Sequence, residues 1–239
     1  MTIPGLDLPD LPGAERVTVP VPDGTLGGYH WGQPQQAPAV LLLHGWGQDA
    51  SAMAEPARMF AEAGWHALSL SSRGWRGSGG CDDYGRSGAR DTRLALEWLS
   101  SQPRGPVVML GFSMGGLIAL LTAATQDTCA SHVVAVSAPT DLRRVYQSSA
   151  LNALRRYYDA VLTAKQWHEG SPLTHARALN VPGLLAVGTE DRVCPPEEGR
   201  SFAAASGSRL LEIDGMAHEP REQEWATIVQ ETLTWTRMP

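Results

Sequence analysis

Short apolar runs alternate along the chain with longer stretches whose apolar residues recur every three to four positions. Arg16-Val17-Thr18-Val19-Pro20-Val21-Pro22 is apolar at every second position, as a strand is when one face is buried. Asp23-Gly24 is a turn signal, and Leu26 to Trp31 reads as the returning strand of a hairpin. Ala39-Val40-Leu41-Leu42-Leu43 is apolar throughout, which fits a strand covered on both faces of a parallel sheet. Helical spacing follows over Ser51 to Ala63, with Ser51 as N-cap and Gly64 as stop. The strand-then-helix unit then repeats. Strands are predicted at Trp65–Leu70, Pro106–Leu110, His132–Ser137, Gly183–Val187 and Arg209–Asp214, and helices at Ala89–Ser101, Met114–Ala124, Glu197–Ala205 and Glu222–Thr236. Residues 1–14 read as a lead-in, 33–38 as a polar loop and 72–88 as a long glycine-rich loop near the functional edge. The rhythm breaks at 141–170, a more polar stretch with two Arg-Arg pairs and Tyr157-Tyr158. It predicts one or two helices, a small cap over the carboxyl edge of the sheet. The whole predicts an α/β fold: a mostly parallel, twisted sheet of about eight strands with helices on both faces.

The bulk properties narrow this picture. With 239 residues, 43% hydrophobic and 18% charged, the chain is expected to be one domain over 1–239, with the cap as an insertion. A net charge of −6 argues against a nucleic-acid partner. The start, Met1-Thr2-Ile3-Pro4-Gly5, carries no basic residue ahead of an apolar run, and no stretch approaches the ~18 apolar residues of a membrane span, so a cytoplasmic location is expected. Cys81, Cys129 and Cys194 are widely spaced and make neither a metal cluster nor a disulfide framework.

Functional groups of an open α/β sheet collect at the carboxyl ends of its strands, and four such loops here carry suggestive residues. Gly111-Phe112-Ser113-Met114-Gly115-Gly116 places a serine at a sharp strand-to-helix turn, where glycines avoid collisions across the turn. A serine hydroxyl needs a base, and the base needs a group that fixes its tautomer. His218, in Gly215-Met216-Ala217-His218, and Asp191, in Gly188-Thr189-Glu190-Asp191-Arg192-Val193, supply these roles in the order serine, acid, histidine. Glu190, Asp141 and Asp214 compete with Asp191 for the acid. The backbone N–H groups of Met114 and of Trp46, in His44-Gly45-Trp46-Gly47, are the expected oxyanion donors. His44 reads as a brace for that loop. Trp46 and Trp75 are expected to wall the substrate pocket. The glycine-rich loop has neither the dinucleotide-binding spacing nor a phosphate-loop lysine.

These four blocks, with Arg73-Gly74-Trp75-Arg76-Gly77-Ser78-Gly79-Gly80, resemble the signature blocks of the α/β-hydrolase superfamily over about residues 15–237. Ser171-Pro172-Leu173 and Asp191-Arg192-Val193-Cys194-Pro195 are similar to the prolyl-oligopeptidase-related and dienelactone-hydrolase-like branches. The chain has no room for a propeller domain, and a dienelactone hydrolase is expected to carry cysteine at position 113. The resemblance implies the α/β-hydrolase fold and a serine hydrolase. The expected activity is cleavage of small carboxylic esters through an acyl-enzyme, with no metal or organic cofactor. A peptidase, amidase or acyltransferase using the same three residues is the alternative, and a non-catalytic binding module on the same fold is a third reading.

Overall fold

In a computed structural model, residues 7–32, 37–100, 105–125 and 128–237 are described. Residues 1–6 of the lead-in, 33–36 of the polar loop and Ser101 at the expected helix end lie outside the described residues. The strands are β1 (Glu15–Val21), β2 (Gly24–Trp31), β3 (Ala39–Leu43), β4 (His66–Leu70), β5 (Val107–Phe112), β6 (His132–Val136), β7 (Gly183–Gly188) and β8 (Arg209–Ile213). They form one eight-stranded sheet in the order β1-β2-β4-β3-β5-β6-β7-β8. β2 runs antiparallel to β1 and β4, and the remaining pairings are parallel. This is the α/β-hydrolase fold.

Every residue of β3, β4, β5 and β7 is buried, because helices cover both faces. The period-two rule divides each strand between two cores. Leu41, Leu43, Met109, Val133 and Leu185 face a cluster built with Leu96 of α2 (Gly88–Ser100), Leu117 and Leu120 of α3 (Met114–Ala123) and Phe202 of α7 (Glu197–Ser206). Val40, Leu42, Val108, Leu110 and Ala186 face the other, with Phe60 of α1 (Ala54–Glu62) and Trp225 and Ile228 of α8 (Glu222–Trp235). Thus β3 and β5 are neighbours whose following helices, α1 and α3, lie on opposite faces. Their carboxyl ends flank the crevice where such sheets bind ligands.

The structure moves several expected boundaries. Asp49, rather than Ser51, caps the first helical turn: its carboxylate accepts the Ser51 N–H at 2.8 Å, and Ala50–Met53 forms a 3-10 turn before α1. The Ser51 hydroxyl is itself spent as a donor to Asp49, at 2.6 Å. β5 continues to Phe112, since Gly111 and Phe112 still pair with Ala135 and Val136 of β6. The stretch 141–170 holds three helical pieces, α4 (Leu142–Ser148), α5 (Asn152–Val161) and the single turn α6 (Gln166–Glu169). The chain turns extended at Ser149, where the next N–H, from Ala150, goes to the Arg192 carbonyl at 2.8 Å.

The glycine-rich loop between β4 and α2 is fastened along its length. Arg73 makes a two-pronged ion pair with Asp91 of α2, at 2.7 and 3.1 Å. The Ser78 hydroxyl accepts the Gly27 N–H at 3.0 Å and donates to the Ser71 carbonyl at 2.6 Å. Among the described residues no helix is long and apolar enough to cross a membrane.

Candidate active site

Ser113 sits between β5 and α3 with φ 50° and ψ −116°, a conformation that side-chain-bearing residues rarely adopt. Its neighbours show why the turn needs glycine. A Cβ on Gly111 would stand 2.1 Å from the Gly115 carbonyl oxygen, and one on Gly115 would stand 2.1 Å from that of Leu43. The Ser113 N–H donates to the Val136 carbonyl at 2.8 Å, so neighbouring β6 anchors the turn.

The loops after β7 and β8 bring two further groups to this serine. His218 Nε2 lies 3.0 Å from Ser113 Oγ, and His218 Nδ1 lies 2.9 Å from Asp191 Oδ2. The other carboxylate oxygen of Asp191 accepts the Val193 and Cys194 N–H groups at 2.8 and 2.9 Å. The Asp191 side chain is only 1% exposed, against 18% for His218. Because the carboxylate can only accept, Nδ1 carries the proton and Nε2 presents its lone pair to the Ser113 hydroxyl. A hydroxyl against the free nitrogen of a carboxylate-held imidazole is an arrangement that can make serine nucleophilic.

The competing acids lie elsewhere. Asp141 caps α4 through the Arg143 and Arg144 N–H groups, Glu190 is exposed, and Asp214 takes the Thr189 hydroxyl at 3.2 Å. Burial pushes the Cys194 thiol well above its ordinary range, an effect the Asp191 carboxylate reinforces, and the side chain stays a neutral thiol.

The loop after β3 runs directly beside this turn. The His44 carbonyl oxygen lies 2.7 Å from the place a Gly115 Cβ would occupy, so the segment leading to Trp46 adjoins the first turn of α3, which Met114 opens. The His44 ring is buried and spans the loop: Nδ1 donates to the Gly45 carbonyl at 2.7 Å, and Nε2 accepts the Ser72 N–H at 2.9 Å. Burial pulls its pKa below the ordinary value of 6.5 against a raising pull from the Gly45 carbonyl, so the ring is neutral. The Trp46 ring packs 5.0 Å from Tyr157 of α5, and Trp75 stands edge-on to His44 at 6.2 Å. The indole nitrogens of both tryptophans are buried with no hydrogen-bond partner among the described residues.

Three contacts at the site have no signature in the sequence. Phe112 lies 5.2 Å from the His218 ring. Tyr157 donates to Asp82 of the glycine-rich loop, and burial, helped by that carboxylate, keeps its phenol protonated. Gln48 joins the Gly45 N–H, at 3.0 Å, to Glu219, at 3.2 Å. Tyr157-Tyr158 stood out only as an aromatic pair, and Gln48 and Glu219 are ordinary polar residues far apart in the chain. A cavity of about 200 Å³ lies toward the start of α1, with Gln48, Met53, Phe112, Glu219 and Trp225 in its wall and neither Ser113 nor His218 among its lining residues.

Known proteins resemble this chain in sequence and in fold. The family model of the X-Pro dipeptidyl-peptidase (S15 family) matches residues 30–164. Two curated Mycobacterium tuberculosis proteins, both described as uncharacterised, are each 27% identical over 220 residues, covering 89% of this chain and 75% of theirs. Among solved structures, a puromycin hydrolase superposes with a TM-score of 0.77 at 20% identity over 92% of this chain, and the chain spans 38% of that protein's length. The α/β hydrolase GrgF from Penicillium sp. sh18 gives 0.76 at 17% identity, covering 95% of this chain and 98% of that one. A Pyrococcus furiosus esterase, Pf2001, gives 0.75 at 21% identity, covering 94% and 93%.

Proposed function

The chain belongs to the X-Pro dipeptidyl-peptidase (S15) family of α/β-fold hydrolases, and on that premise we propose that it is a serine hydrolase cleaving carboxylic esters of small substrates through an acyl-enzyme. The observation that carries the reading is the chain of contacts from Ser113 Oγ through His218 to Asp191, at 3.0 and 2.9 Å. His218 Nε2 takes the Ser113 proton as Oγ attacks the ester carbonyl. The resulting oxyanion is held by the N–H groups of Trp46 and Met114. His218 returns the proton to the leaving alcohol, and the C–O bond breaks to leave an acyl-serine. Water, deprotonated by His218, then attacks the acyl carbon; the bond from that carbon to Ser113 Oγ breaks, His218 returns the proton to Oγ, and the acid leaves. Asp191 keeps His218 in the required tautomer and stabilises its charged form. A compact cap of three short helices supports a small acyl or alcohol group, with Trp46 and Trp75 as pocket walls.

The S15 match and the puromycin-hydrolase likeness favour a second reading, in which the same three residues cleave an amide or peptide. A panel of p-nitrophenyl esters, thioesters and aminoacyl amides separates the two by relative kcat/KM. Ser113→Ala is expected to lower kcat by about 10⁴-fold or more on p-nitrophenyl acetate and to abolish fluorophosphonate labelling. Undiminished turnover by that variant overturns the assignment, and failure of the native protein to label favours a binding module.

A further inference from the structure

The Gly45–Trp46 peptide is held more firmly than loop geometry requires. Its carbonyl accepts His44 Nδ1–H at 2.7 Å and the Gln48 N–H at 3.3 Å. A peptide unit is planar, so fixing the Gly45 carbonyl fixes the direction of the Trp46 N–H on the opposite edge of the same plane. Gln48 also grips residue 45 from the other side, its side-chain oxygen accepting the Gly45 N–H at 3.0 Å. The grip is close-packed: a Cβ on Gly45 would stand 2.9 Å from the Phe112 ring and 3.0 Å from Gln48 Oε1. The amide nitrogen of the same side chain donates to Glu219 at 3.2 Å, and Glu219 directly follows His218.

We propose that Gln48 is a positioning residue: it aims the Trp46 N–H and ties the loop carrying that donor to the loop carrying His218. One side chain thereby sets the distance between the oxyanion donor and the base. The inference rests on the serine-hydrolase reading above and adds to it a residue that touches neither substrate nor Ser113. An N–H aimed at charge that develops only in the transition state acts on kcat and leaves ground-state binding little changed.

The test compares Gln48→Ala, Gln48→Met, Glu219→Ala, Glu219→Gln and the Gln48→Ala/Glu219→Ala double variant on p-nitrophenyl acetate. Gln48→Met keeps the side-chain bulk, so loss of packing and loss of the amide are told apart. Gln48→Ala and Gln48→Met are each expected to lower kcat about 10- to 100-fold, with KM within about two-fold of the native value. Inhibition by a trifluoromethyl ketone, whose tetrahedral adduct places an oxyanion in the same hole, weakens in parallel. Glu219→Ala lowers kcat less, Glu219→Gln restores most of that loss because it keeps an acceptor oxygen, and the double variant is no slower than Gln48→Ala alone. Native-like kcat in both Gln48 variants, a change confined to KM, or fully additive losses overturns the proposal while Ser113→Ala remains inactive. A native protein that neither turns over esters or amides nor labels at Ser113 overturns the underlying reading, and this one falls with it.

Discussion

Ser113 carries backbone strain that its chemistry does not use directly. Its φ of 50° and ψ of −116° are paid for by packing around the turn, with Gly111 and Gly115 leaving no room for a methyl group. Glycine adopts positive φ freely, so Ser113→Gly is expected to be more stable than Ser113→Ala by about 1 kcal/mol, although neither variant has a nucleophile. Urea denaturation of the two proteins measures the difference; equal midpoints would mean that the turn relaxes once the hydroxyl is gone. The same stringency made this turn legible in the sequence. Each position admits few residue types, so the pattern survives without an alignment. Gln48 and Glu219 illustrate the opposite case. They stand 171 positions apart, and each could be any solvated polar residue until the fold brings them within 3.2 Å.

The strands were readable because burial on both faces forces unbroken apolar runs such as Ala39–Leu43, and α3 because it is apolar almost throughout. The connection between β4 and α2 was not. Its glycines reveal only where the backbone turns, while its order comes from side chains that meet across the fold. Arg73 and Asp91 are 12% and 4% exposed, and hydrogen bonding to Asp91 raises the Arg73 pKa further, so the guanidinium stays charged. Removing the cation leaves a buried carboxylate with, among the described residues, only Arg90, 3.4 Å away and half-exposed, to compensate. Arg73→Met is therefore expected to destabilise the protein by about 3 kcal/mol, near the low end for breaking a buried pair. The double variant Arg73→Met/Asp91→Leu recovers most of that loss, since it removes the stranded charge as well. Urea midpoints of the single and double variants check this; a double variant as unstable as Arg73→Met would show that the loop depends on the ion pair itself. The cap was hard to read for a related reason. Tyr157 and Tyr158 of α5 face inward against Trp46 and Tyr84, so aromatic contacts across the fold, rather than a continuous apolar stripe, hold it down.

The folded protein holds three histidines whose pKa values lie below 6.5, and together they tie its stability to pH. Burial lowers His44 first; the Gly45 carbonyl, Asp49 and Asp82 pull the other way and lose. Burial also lowers His30, with neighbouring His66 adding to the effect and Glu15 opposing it, and burial alone lowers His132. Below about pH 6.5 the unfolded chain takes up protons on these rings that the folded chain refuses. The unfolded state then binds more protons, so the unfolding free energy falls as pH drops through that window and is fully present above it. Glu198 acts in the opposite sense: burial raises its pKa despite hydrogen bonds from Asp141 and Thr140, so at lower pH the folded state gains protons there and part of the loss is offset. Glu212 and Glu224, lowered by Arg200 and Arg221, weaken folding only below the ordinary carboxylate pKa of about 4.5, and the arginine of each pair is exposed to solvent, which screens the interaction. His44 is the ring most specific to the site, because protonating Nε2 turns the acceptor of the Ser72 N–H into a second donor facing it. Chemical denaturation at pH 8, 7, 6 and 5 is expected to show a plateau above 7 and a steady fall below 6.5. In His44→Gln, where the amide oxygen or nitrogen cannot titrate, the fall is expected to be shallower from a lower plateau. An unchanged slope in that variant would assign the acid sensitivity to His30 and His132 at the far ends of their strands, and would leave the loop after β3 insensitive to pH.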